Sequence, residues 1–316
     1  MRFFNIFIVT LTAFLGVSSL ASAAPEPGTY HTYKMPPFFY FYAGKDPGVV
    51  EDLDKEIRQL IPEMELRLGT RLPDTIEVGL PISRDEFAWL TQGKVPDWAG
   101  GVAYPGEDRI VIKTPLFFGE GVSLPVLMAH ELAHLLIDAA SRGNGVPKWF
   151  NEGLSQILAG ESRTGYSTRL ARAALANRLI GLPRVDGVLG YSRQDADLAY
   201  AESHAATQAL VERFDWEAIR NILFIVGSGA EFDEAFLQAT GLEYEAWQAE
   251  WLESAQKRYR GYAFLETDTI IWLLIILLSS VAVVVAWIRK RKQMQRWQDE
   301  EEAELINESK NSKEEE

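Results

Sequence analysis

The chain carries four histidines, His31, His130, His134 and His204, and two of them fall inside the hexapeptide Ala129-His-Glu-Leu-Ala-His134. On a helix, a separation of four residues projects both imidazoles from one face, where they can share an ion at the ~2.0–2.1 Å of a zinc–nitrogen bond. Glu131 follows at the edge of that face. It is poorly placed to ligate the same ion and well placed to take a proton from a nearby water. The sequence contains no cysteine, so thiolate ligands and disulfides are excluded, and any metal must be held by histidines and carboxylates. The same spacing also arises by chance; the three side chains would then hydrogen-bond to the backbone or to Asp138, one turn beyond His134.

The neighbours weigh against chance. Leu127, Met128, Leu132, Ala133, Leu135, Leu136 and Ile137 make this segment apolar on nearly every face, which implies burial. Two imidazoles and a carboxylate buried without partners would cost several kcal/mol, and a metal removes that objection. A catalytic ion needs a third protein ligand and one open position. Trp149-Phe-Asn-Glu-Gly153 offers Glu152, in the early turns of the next helix and returned beside the histidines by a short loop.

These residues need two antiparallel helices to position them. Ser123 is a candidate N-cap with Pro125 in the first turn, and the first helix runs to about Ala140 before Gly143 and Gly145 break it. Pro147 opens the second helix, and Ala159-Gly160 ends it. Upstream, strands are expected at Pro37–Tyr42 and Thr75–Leu80. Between and after them come a helix over Val49–Leu68 stopped by Gly69 and a short capped helix over Ser83–Leu90. Gly100–Tyr104 and Arg109–Lys113 flank Pro105-Gly106 as a hairpin-like pair. Strands first and helices later define an α+β domain, with a small N-terminal mixed sheet lobe and a helical C-terminal lobe. The aromatic stretch Tyr244–Trp251 is spaced for packing rather than for ligand binding.

HELAH followed by WFNEG resembles the gluzincin metallopeptidases, and the layout is most similar to their small peptidase MA-like domains. The aminopeptidase N family shares a W-x-N-E-G stretch, and thermolysin-like enzymes share N-E-x-x-S. The likeness extends from Pro36 to Tyr259 and is strongest over 98–155. It implies a zincin-like domain with His130, His134 and Glu152 as zinc ligands, Glu131 as general base and proton shuttle, and a peptide or protein as substrate. Gly100–Tyr104 falls where these families place the edge strand that pairs with an extended substrate. The glutamate motif with which aminopeptidases bind a free amine is missing, so the resemblance implies an endopeptidase. Such enzymes supply an oxyanion donor from a later helix. Tyr200 is the first candidate, against the alternative of a core tyrosine, and His204 the second. Thermolysin-like enzymes orient a ligand histidine with an aspartate four residues after the ligand glutamate; here Gln156 stands at that position, and a glutamine can accept that hydrogen bond but raises imidazole basicity less. A second reading remains open, a non-catalytic membrane-anchored module that keeps the fold for binding or assembly.

The ends set the location. One positive charge at Arg2, an apolar run from Phe3 to Leu15 and Ala21-Ser22-Ala23 read as a signal peptide over 1–23. Residues 269–288 are uncharged with Trp272 and Trp287 near their ends, as in a transmembrane helix. Arg289–Lys292 follow and Glu266 and Asp268 precede it, so the positive-inside rule puts the C-terminus in the cytoplasm and the domain over 24–265 outside it. The expected product is a single-pass protein of the cytoplasmic membrane with its site facing the periplasm or exterior. The charged tail, 289–316, reads as solvated and disordered. The formal charge is −14; the tail accounts for −2 and the signal peptide for +1, which leaves −13 on the exported part and argues against a nucleic-acid partner.

Overall fold

The computed structural model describes residues 30–96, 99–114, 123–161, 165–190, 193–263 and 267–314, which divide into two units, Met1–Tyr259 and Arg260–Glu316. The signal-peptide reading of 1–23 lies outside the described residues.

The sheet grows from an aromatic run whose side chains alternate between core and surface. In β2 (Phe38–Tyr42), Phe38, Tyr40 and Tyr42 point into the core. β2 pairs antiparallel with β1 (His31–Met35) and parallel with β3 (Ile76–Leu80), the crossover being α1 (Gly48–Leu68). β5 (Arg109–Ile112) joins β3 in parallel, and β4 (Gly101–Tyr104) closes the far edge antiparallel to β5. The order is therefore β1-β2-β3-β5-β4, with β4 on an edge. β1 was not expected from sequence. HTYKM lies on the opposite edge and is only partly buried, so it lacks the apolar alternation that announces a strand.

α1 ends where Gly69 adopts φ 68° and donates its N–H to the Glu65 carbonyl, a left-handed cap. Arg58 ties this helix to the sheet: its guanidinium grips Asp54 at 2.6 and 3.0 Å and also donates to the Met35 and Pro36 carbonyls. Tyr40 Oη donates to the same carboxylate at 3.2 Å. α2 (Arg84–Leu90) is capped by Ser83, whose Oγ accepts from the Glu86 N–H.

Two helices carry the HELAH and WFNEG segments. α3 (Leu124–Ala140) packs on α1, β4 and β5, and α4 (Lys148–Leu158) lies between α3 and the long α6 (Arg193–Val226), which kinks at Asp215. Ser123 occupies the N-cap position of α3 without a side-chain capping bond, and Pro125 sits in the first turn. Between α4 and α6 runs α5 (Tyr166–Leu175); α7 (Phe232–Thr240) and α8 (Tyr244–Ala263) follow. Trp149, at the head of α4, stacks on Tyr244 and Trp247 of α8 and donates its indole N–H to Tyr244 Oη at 2.6 Å. The aromatic spacing of α8 thus serves packing, and it pins the start of α4.

The second unit holds α9 (Thr267–Glu314), whose stretch Ile270–Gln298 is long and apolar enough to cross a membrane. Its large apolar side chains are exposed, as suits a lipid contact. The helix continues through the charged residues from 289 to Glu314. Residues 289–314 contain neither Gly nor Pro and are rich in Glu, Gln, Lys and Arg, all good helix formers.

Candidate metal centre

α3 and α4 bring the three expected ligand side chains together. One donor atom from each of His130, His134 and Glu152 lies within 4.8 Å of the others. Glu152 Oε2 is 3.4 Å from His130 Nε2 and 3.9 Å from His134 Nε2, and the two rings meet edge to face at 4.8 Å. The imidazoles retain 13 % and 16 % side-chain exposure, so the cluster is largely but not wholly enclosed.

Each histidine is held from behind. His130 Nδ1 lies 2.6 Å from Glu161 Oε1, and His134 Nδ1 lies 2.6 Å from Asn151 Oδ1, with Ser155 Oγ at 3.0 Å. A carboxylate and an amide oxygen only accept, so both Nδ1 atoms carry a proton; Nε2 of each ring faces Glu152, where it donates when the ring is charged and offers a lone pair when the ring is neutral. That neutral form is the tautomer a metal requires. Three carboxylates, Glu131, Glu152 and Glu161, crowd two imidazoles here, and a divalent cation offsets that negative charge. The residues fit a metal ion.

The charges respond to this crowding. Burial opposes protonation of His130, but hydrogen bonds with Glu152 and Glu161 outweigh it and hold the ring well above the ordinary imidazole range. His134, for which burial dominates, is pushed down. Burial raises the Glu131 carboxyl to about 7, against the opposing charge of His130. Burial also works against ionisation of Glu152 and Glu161, yet hydrogen bonds from His130 keep both below the usual carboxylate range.

Glu131 faces the edge of the sheet. It is 6 % exposed, and the Ala103 N–H of β4 bonds its carboxylate. The approach depends on Gly101: a Cβ there would stand 2.8 Å from Glu131 Oε1 and 2.7 Å from Ile112 Cγ2. Thus the Gly100–Tyr104 stretch is an edge strand beside the cluster, as the sequence suggested.

The other residues singled out from sequence separate. Tyr200 on α6 is half-buried, and burial, with smaller contributions from the charges of Glu152, Glu131 and Glu161, raises its hydroxyl above the ordinary tyrosine range. His204 is 5 % exposed and sets its ring edge-on to Tyr166 at 5.4 Å. Asp138, the alternative partner for the histidines, gives way to Glu161 and Asn151. Gln156, at the position where thermolysin-like enzymes have the orienting aspartate, turns elsewhere. Its Nε2 donates to Tyr166 Oη at 2.8 Å, because its helical turn points toward α5 rather than back to α3.

Each residue of WFNEG has its own contact. Trp149 anchors in the aromatic cluster, Phe150 fills the core, Asn151 braces His134, and Glu152 faces both rings. Gly153 allows α6 to approach: a Cβ would lie 2.4 Å from the Ser203 carbonyl and 2.1 Å from Thr207 Oγ1. Asn151, Gly153 and Glu161 were not identified from sequence as site residues. An Asn one place before a ligand was a legible hint; Glu161, past the helix end, was not.

A model of the Peptidase MA superfamily matches residues 91–257, which span α3, α4 and the cluster, and the chain belongs to that superfamily. No curated protein gives a match. Peptidase chemistry and metal dependence are what the superfamily suggests, and the His-His-Glu cluster can hold a metal ion.

Proposed function

We propose that the protein is a zinc-dependent endopeptidase, tethered to the membrane by α9 and acting on peptide segments outside the cytoplasm. The observation that carries the proposal is the convergence of His130, His134 and Glu152, with both histidine tautomers set by Nδ1 partners and Glu131 adjacent. In this reading, His130 and His134 hold zinc through Nε2 and Glu152 through its carboxylate. Two imidazoles, one carboxylate and an open position suit zinc better than the harder divalent cations. Once bound, zinc would polarise the scissile carbonyl and acidify a water.

The chain's own groups do the rest. Glu131 takes a proton from the attacking water and delivers it to the departing amine. Its hydrogen bond from Ala103 and its contact with Gly101 fix the carboxylate against β4. β4 ends the sheet, and among the described residues no strand pairs its outer side, beside which an extended peptide can lie as a further strand. Tyr200 donates a hydrogen bond to the carbonyl oxygen as negative charge develops there. Signal peptide, stop-transfer helix and the basic cluster Arg289–Lys292 together support a site outside the cytoplasm.

Cleavage of an unstructured protein such as casein by the full-length chain in detergent tests this reading. Expected are hydrolysis that a chelator abolishes and zinc restores. A chain that carries its metal yet cleaves neither casein nor a peptide library would favour the binding module instead. Tyr200→Phe should lower kcat by about 10²-fold with little change in KM, the loss typical of one oxyanion donor. Unchanged kcat would make Tyr200 a packing residue.

A further inference from the structure

The turn after α4 carries a carboxylate that the motifs do not contain. Gly160 adopts φ 64° and reverses the chain, with its N–H on the Ile157 carbonyl and the Glu161 N–H on the Gln156 carbonyl. That is a Schellman-type closure, and it delivers the very next side chain back over α3. Glu161 Oε1 then meets His130 Nδ1 at 2.6 Å. The second oxygen of Glu161 accepts from Tyr166 Oη at 3.2 Å, and Tyr166 in turn accepts from Gln156 Nε2 at 2.8 Å. The donors converge on Glu161: Gln156 donates to Tyr166, Tyr166 donates to one carboxylate oxygen of Glu161, and His130 donates to the other. Gln156 is 2 % exposed, so this end of the network is fixed in the core.

From this geometry we infer that Glu161 is the positioning residue of the metal centre. It locks the tautomer and ring angle of His130 and makes its Nε2 a stronger donor, while Tyr166 and Gln156 hold Glu161 in place. The inference rests on the metal-centre reading above. It also gives the two ligands unequal support. His130 is backed by a charged carboxylate, whereas His134 is backed by neutral Asn151 and Ser155. A carboxylate behind an imidazole raises its basicity more than an amide does. Gln156, four residues after Glu152, is thereby released from the orienting duty that its position suggests. It serves that duty at one remove, through Tyr166.

The test measures zinc affinity of the full-length chain in detergent by chelator competition, together with the visible spectrum of the cobalt-substituted form. Glu161→Gln should weaken zinc by about tenfold or more and shift the cobalt bands, since the ligand field at His130 changes. Tyr166→Phe, which keeps Glu161 and removes one of its hydrogen bonds, should weaken zinc about fivefold. Glu202→Gln is the control for general destabilisation. Glu202 is a buried carboxylate that accepts from the Ile180 and Gly181 N–H groups, so its loss should lower thermal stability and leave zinc affinity unchanged. Wild-type affinity and unmoved bands in both Glu161→Gln and Tyr166→Phe would overturn the role of Glu161 alone. A wild-type chain that binds neither zinc nor cobalt would overturn it together with the metal-centre reading.

Discussion

Glu131→Gln should retain about one zinc per chain and lose hydrolysis by on the order of 10²–10⁴-fold, the range that a positioned general base contributes. Glutamine keeps the size of the side chain and can still accept the hydrogen bond from Ala103, so the packing against Gly101 and Ile112 survives. What disappears is a group able to hold a proton between attack and departure. The decisive readout is the pair of measurements together, metal content by elemental analysis and cleavage rate at saturating peptide. Full metal with wild-type rate would remove Glu131 from the chemistry. Loss of metal along with rate would give it a structural part in the cluster instead.

Gly153→Ala is expected to act through packing rather than through chemistry, and with comparable severity. The added methyl would fall 2.4 Å from a backbone carbonyl of α6, which cannot step aside as a side-chain tip can. α4 must therefore move off α6, and Glu152 and Asn151 move with it. Overpacking of this kind costs roughly 3 kcal/mol, a large share of a domain's stability. Thermal unfolding should show a much lowered midpoint, and zinc affinity should fall because Glu152 no longer faces both histidines. A variant with native stability and native affinity would mean that the α4–α6 contact is looser than the geometry indicates.

The cluster of His130, His134 and Glu152 and the two helices that form it were legible, because a four-residue histidine spacing, a breaker pair at Gly143 and Gly145 and a helix opening at Pro147 are local signals. Residues brought in by tertiary folding were not legible. Glu161 reaches His130 only through the left-handed turn at Gly160, and nothing in its own neighbourhood marks it as a partner of a residue thirty-one positions earlier. Gln156 illustrates the converse: position within a motif suggested an orienting role, but the direction of its helical turn sends it to Tyr166. The edge strand β1 was missed because it has no buried face to announce it. In the role inferred for it, Glu161 supplies behind His130 the carboxylate absent from position 156, which removes one ground for a non-catalytic module.

The most direct test of the proposed centre is the metal content and coordination of the purified full-length chain, measured by elemental analysis and X-ray absorption beside Glu152→Ala. The expected result is about one zinc per chain, with a coordination shell of two imidazole nitrogens and oxygen donors at ~2.0–2.2 Å. Glu152→Ala should lose that zinc or bind it far more weakly. A wild-type chain without stoichiometric metal, or one whose metal and coordination shell are unchanged in Glu152→Ala, would contradict it.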